Sequence, residues 1–217
     1  MNSETYKIIN RRKLKENAKE KINGNLWSVW AGVLIVYLIT SAVTYLTSFI
    51  DCGKVMIYED VYFNGISSLV SLFFIPLNVG LTYYVLNITR DKEYNINDLY
   101  RFYKDRMWTI LLVSILTSIF VGLWSLLLII PGVIAGLSYS MCNFIYIDGE
   151  DTNAMDIIKK SKDMMYGYKW DYFVFNLSFI GWFLLCIFII PVIFVLPYYM
   201  VSQCMYYDEL KKIKENK

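Results

Sequence analysis

Long apolar stretches alternate with short charged ones along this chain. Leu26–Ile50, Gly65–Thr89, Met107–Ile147 and Tyr172–Tyr207 contain no Lys, Arg, Asp or Glu. An uncharged run of about 18 residues or more reads as a bilayer span. Met107–Ile147 would be roughly 60 Å long as one helix, twice the hydrocarbon thickness of about 30 Å, and Tyr172–Tyr207 is similarly too long. Each must therefore cross twice. Pro131-Gly132 and Pro191 supply the breaks. The expected spans are about 26–50, 66–88, 107–130, 131–147, 172–190 and 192–207. The fold predicted is all-α: a polytopic membrane helix bundle of six transmembrane helices in three hairpins. Residues 1–25 form a basic amphipathic cytoplasmic segment and 208–217 a cytoplasmic tail.

Charge fixes the expected orientation. Basic residues flanking spans stay cytoplasmic, whereas acidic ones contribute little. With six spans only Asp51–Asn64 lies outside, and 20 of the 21 Lys and Arg residues fall inside. With four spans Asp148–Asp171 would also be external, with its four bases. Six spans satisfy charge and helix length together, with both termini cytoplasmic.

Composition agrees: 57% of residues are hydrophobic and 18% charged, against about 25% charged in a soluble domain. The polar N-terminal stretch and long first run predict a retained helix rather than a cleaved signal. Cys142, Cys186 and Cys204 lie in apolar runs and Cys52 stands alone in the outer loop, so no disulfide framework is expected.

The hairpins resemble one another. Each carries an Ile-Pro step and then tyrosine after small or polar residues: Ile75-Pro76 with Tyr83-Tyr84, Ile130-Pro131 with Tyr139, Ile190-Pro191 with Tyr198-Tyr199. Trp27, Trp108 and Trp170 stand at the cytoplasmic approaches, the position tryptophan favours. Asn95 with Asp98, and Asn153 with Asp156, read as helix N-caps with an acid at the third position. After Asn153, Ala154, Ile157, Ile158, Ser161 and Met165 share one helical face, and Lys159, Lys160 and Lys162 lie elsewhere. Two readings stay open: a helix lying on the anionic inner leaflet, or a solvated loop helix whose lysines only set topology.

Catalytic chemistry finds little support. The chain has no histidine, which removes His-based acid–base catalysis, Ser-His-Asp triads and the commonest metal ligand. There is no Gly-rich phosphate loop and no paired-cysteine motif. Asp148, Glu150 and Asp151 cluster past a span, but acids there usually cap and solvate a helix start, so no metal and no cofactor are expected. The spans hold no ionisable residue, which argues against a proton relay. Their polar candidates for binding are Asn78, Asn143, Asn176 and Gln203, for which helix–helix hydrogen bonding is the commoner role. Gly132, Gly136 and Gly181 are expected at close helix approaches.

These residues resemble a bacterial integral membrane protein family catalogued as domain of unknown function 975. The likeness lies in the opening Arg12-Lys13-Leu14-Lys15 with Ala18 and Gly24-Asn25. Its most distinctive block is Leu123-Trp124-Ser125 through Ile130-Pro131-Gly132-Val133, followed by Leu137-Ser138-Tyr139. It continues in Gly167-Tyr168-Lys169, Leu177-Ser178-Phe179-Ile180-Gly181-Trp182 and Pro197-Tyr198. Ala135-Gly136 stands where the family pattern has a basic residue. The resemblance implies a bacterial cell-membrane location and no established activity. A non-enzymatic protein is expected, acting through membrane lipids, a membrane protein partner or a second copy of itself, and not through nucleic acid. The alternative is a transporter or exporter component for a small neutral or amphipathic molecule, its cavity lined by Asn78, Asn143, Asn176 and Gln203.

Overall fold

The computed structural model describes residues 9–50, 54–58, 61–64, 70–104, 106–149, 153–185 and 192–215. The described residues are helical, as expected, apart from one β-hairpin within 54–64, where the all-α expectation had only a loop. Helix α1 (Arg11–Ile50) is followed by antiparallel strands β1 (Lys54–Tyr58) and β2 (Val61–Asn64), then α2 (Ile75–Thr89). A 3-10 helix (Ile96–Tyr100) leads into α3 (Arg101–Lys104) and α4 (Met107–Leu127). There follow α5 (Ile129–Tyr139), α6 (Cys142–Asp148), α7 (Ala154–Met164), α8 (Lys169–Leu185) and α9 (Val192–Glu215).

Among the described residues four stretches are long and apolar enough to cross a membrane: Arg11–Thr47, Val70–Thr89, Met107–Leu127 and Ile129–Asp148. Two of them turn much apolar surface outward. Leu34, Leu38 and Leu46 on α1, and Leu112, Ile119, Leu123 and Leu126 on α4, are exposed. So much contiguous apolar surface fits a lipid environment rather than water.

Helix α1 starts where Asn10 caps it, its Oδ1 accepting the Lys13 N–H at 3.1 Å. No break separates the basic segment from the first apolar run, because nothing between Asn10 and Ile50 stops a helix; the two are one rod of about 60 Å. Helices α1 and α2 run antiparallel. The Tyr84 hydroxyl donates to the Ser28 carbonyl at 3.0 Å, and Lys21 pairs with Asp91 at the far end. Gly80 lets the chain after α2 fold back against it, for a Cβ there would overlap the Leu99 carbonyl.

The break between α4 and α5 falls at Leu128, in extended conformation (φ −161°, ψ 149°), three residues before the expected Pro131. Proline sits in the first turn of α5, where its missing N–H has no intrahelical partner to lose. The helices then pack antiparallel, with Gly132 against Ser125 and Phe120 against Tyr139 (rings 6.1 Å apart). Gly136 and Gly181, by contrast, face open space, so they make no close approach here.

Helices α8 and α9 are also antiparallel, joined by ring contacts of Tyr172 with Tyr206 (4.9 Å) and Phe179 with Tyr199 (5.2 Å). The expected turn at Pro191 lies outside the described residues, as do Cys52, Cys186, Glu150 and Asp151. Pro197 sits inside α9 and leaves the Ile193 carbonyl without its helical donor. Trp30 of α1 fills the gap, its Nε1 donating to that oxygen at 2.7 Å, as neighbouring helices do for prolines in membranes.

Candidate functional site: a charged junction at the helix ends

Three helices converge on one charged cluster. Arg90 caps the C-terminus of α2, Asp148 ends α6, and Asp208 lies on α9 one turn before Lys211. Arg90 donates through Nη1 and Nη2 to the two oxygens of Asp148 at 2.7 and 2.8 Å. It also reaches Asp208 Oδ1, from Nη2 at 2.6 Å and Nε at 3.1 Å. Lys211 Nζ donates to Asp148 Oδ2 at 2.7 Å, and the Tyr207 hydroxyl to the same oxygen at 3.1 Å. Two cations and two carboxylates balance.

The local structure explains the pairing. A cation at the C-terminus of α2 suits the helix dipole, but an acid at the C-terminus of α6 opposes it. Asp148 therefore depends on its partners. Burial alone would raise its carboxyl, yet the Arg90 and Lys211 hydrogen bonds outweigh that and hold it at about 2. Burial likewise disfavours the Arg90 cation, and the two carboxylates more than reverse this, so its affinity for a proton rises. A carboxylate so fully ionised is no proton donor near neutrality. The junction is built to hold the ends of α2 and α6 against α9.

Chain segments pack around it. The N-terminal part of α1 lies along α9, burying Leu14 and Ala18 while Leu210 and Ile213 of α9 are buried in the same core. Residues 208–215 of the expected tail belong to α9. Arg11 pairs with Asp171 (3.4 Å), and Lys15 contacts Ser178 and stands 4.2 Å from the Phe179 ring centroid. The basic segment therefore flanks the first part of the expected span 172–190.

Helix α7 begins as expected: Asn153 accepts the Met155 N–H at 3.2 Å, and Asn95 with Asp98 forms the complete reciprocal cap. The apolar face of α7 is buried, with Ile157, Ser161 and Met165 at 0% exposure, and Ser161 donates to the Ser138 carbonyl at 2.8 Å. That face is occupied by the bundle and is not available to insert into lipid. Lys159, Lys160 and Lys162 are exposed.

Of the four polar candidates, the structure joins two. Gln203 Nε2 donates to the Tyr172 hydroxyl at 3.2 Å and to Asn176 Oδ1 at 3.5 Å, and the Tyr199 hydroxyl donates to Asn176 at 2.9 Å. This cluster bridges α8 and α9. Asn78 is exposed and donates to the Phe74 carbonyl of its own helix at 2.9 Å, and Asn143 is exposed on α6. Neither of the two cavities beside the charged junction is lined by any of the four.

Cavities open instead beside the junction. One of about 710 Å³, between α1 and α9, mixes Lys13, Lys212 and the junction cations with Asp91, Asp208, Glu209 and Glu215. A second of about 630 Å³ lies between α2, α3 and the end of α6, where Lys92, Arg101, Lys104 and Arg106 meet the junction. No group of three or more potential metal-ligating residues occurs among the described residues.

The junction was not expected from sequence, though a signal existed. Arg90, Asp148 and Asp208 are the first charged residues after the second, third and fourth apolar runs, equivalent places in the hairpin pattern.

A helical chain with several long apolar helices and its charges gathered at their ends is of the integral-membrane class. The chain belongs to the family described as "Protein of unknown function (DUF975)", whose model matches residues 8–135 and 125–214. No curated protein and no solved structure matches it.

Proposed function

We propose that this is a non-enzymatic protein of the bacterial cell membrane that crosses six times with both termini cytoplasmic and works through contacts with anionic lipid or a membrane partner. The observation carrying the reading is the division of α7: its apolar face is consumed by the bundle, while Lys159, Lys160 and Lys162 remain exposed. Contact with the inner leaflet through this helix is then electrostatic, worth about 1 kcal/mol per lysine near an anionic surface. The partition of 20 of 21 bases to one side supports the orientation.

The test uses the full-length protein in bilayers, with a fluorophore on a cysteine introduced at exposed Met155. Quencher-bearing phosphatidylglycerol should quench it more than quencher-bearing phosphatidylcholine. Changing Lys159, Lys160 and Lys162 to Gln should reduce that preference at least tenfold, three lysines at about 1 kcal/mol each being ample. Equal quenching by both lipids in the unaltered protein, or labelling of a cysteine at 159 from outside intact cells, would overturn the reading.

A further inference from the structure

The two junction cavities differ in charge. The one between α1 and α9 balances its bases with acids. The one between α2, α3 and α6 does not: among the described residues its acid is Asp148, already committed to Arg90 and Lys211, against Lys92, Arg101 and Lys104. Among the described residues Lys92, Arg101 and Lys104 have no carboxylate partner, and all three are exposed. Arg101 is held by neutral groups, Nη1 donating to the Tyr83 hydroxyl at 2.9 Å with the guanidinium 5.1 Å from that ring. These three cations around one cavity repel each other, which an arriving anion relieves.

The position points to the anion. The lining comes from the ends of three candidate spans: Tyr83 and Asn87 near the end of Val70–Thr89, Arg106 just before Met107–Leu127, and Ile147 at the end of Ile129–Asp148. Span ends lie at the headgroup layer. Beside Arg106, Trp108 (73% exposed) and Leu112 offer apolar surface of the kind an acyl chain covers. Arg106 holds a left-handed backbone (φ 54°), with the Tyr146 hydroxyl donating to its carbonyl at 3.0 Å and its own guanidinium donating to the Gly149 carbonyl at 3.3 Å. Such strain in a non-glycine residue is retained where the surroundings impose it.

We propose that this cavity binds the phosphate of an anionic phospholipid headgroup, with Lys92, Arg101 and Lys104 as the binding cations. The inference rests on the cytoplasmic orientation proposed above and names a site distinct from the α7 lysines. Native mass spectrometry of the full-length protein in detergent, titrated with phosphatidylglycerol, should show one lipid retained more tightly than the rest. Its apparent affinity should fall at least tenfold in a variant carrying Arg101→Gln and Lys104→Gln, and fall also in Lys92→Gln. It should be unchanged when the three α7 lysines are Gln. Equal retention by wild type and both cavity variants, or equal binding of phosphatidylcholine, would overturn the proposal. Displacement of the lipid by an equal concentration of inorganic phosphate would overturn the lipid as the source of the phosphate. If the α7 variant loses its lipid preference while the cavity variants behave as wild type, the functional reading stands and this site does not exist.

Discussion

Replacing Arg90 by alanine should be among the most destabilising single changes in the chain. The guanidinium contacts two carboxylates whose side chains are 10% and 21% exposed. Its removal leaves Asp148 with Lys211 and Tyr207, and Asp208 without its ion-pair partner. Breaking a buried pair costs about 3–5 kcal/mol, and the partial exposure here argues for the lower end, about 3 kcal/mol. For a chain of this size that corresponds to a fall of roughly 6–12 °C in unfolding temperature. Tryptophan fluorescence of the detergent-purified protein during heating would read it. Asp208→Asn should cost less, because Arg90 keeps its bidentate partner. The double variant Arg90→Ala with Asp148→Asn should cost clearly less than the sum of the single changes, since each removes the same interaction. A loss below 2 °C for Arg90→Ala, or strict additivity, would refute the claim that the junction holds the helix ends. The pH dependence has a definite sign. Asp148 is depressed to about 2, so its contribution is complete above the ordinary carboxyl value of about 3.9. It is lost as pH falls from there toward 2. Stability from this group should be level around neutrality and decline only in acid.

Two further outcomes follow from the packing. Trp30→Phe removes the donor to the Ile193 carbonyl and should cost about 1–2 kcal/mol; with Pro197→Ala, which restores the helical N–H, the same change should be nearly neutral, and an equal cost in both backgrounds would defeat the explanation. Gly80→Ala forces a Cβ into the Leu99 backbone and should cost more than about 2 kcal/mol while speeding proteolysis within residues 92–104, whereas Gly136→Ala and Gly181→Ala should leave unfolding temperature unchanged within error.

What the sequence determined by itself is the local and one-dimensional part. Uncharged runs longer than a bilayer is thick require membrane helices whatever their neighbours, and Asn95 and Asn153 cap helices because their side chains reach N–H groups two or three residues on. Family membership was legible for a related reason: the Ile-Pro-Gly and Gly-Tyr-Lys blocks are contiguous. Proline serves a helix start as well as a chain reversal, so Pro131 stands in the first turn of α5 and the break falls three residues earlier, at Leu128. Which charges meet lay beyond reach. Arg90 is 58 positions from Asp148 and 118 from Asp208, and the ion pairs exist only because the ends of α2 and α6 are brought beside α9. The same holds for the fate of the amphipathic α7: its pattern specified a buried face, and tertiary packing chose protein rather than lipid to cover it. Periodicity reports that a face must leave water, but what it meets depends on contacts made far along the chain.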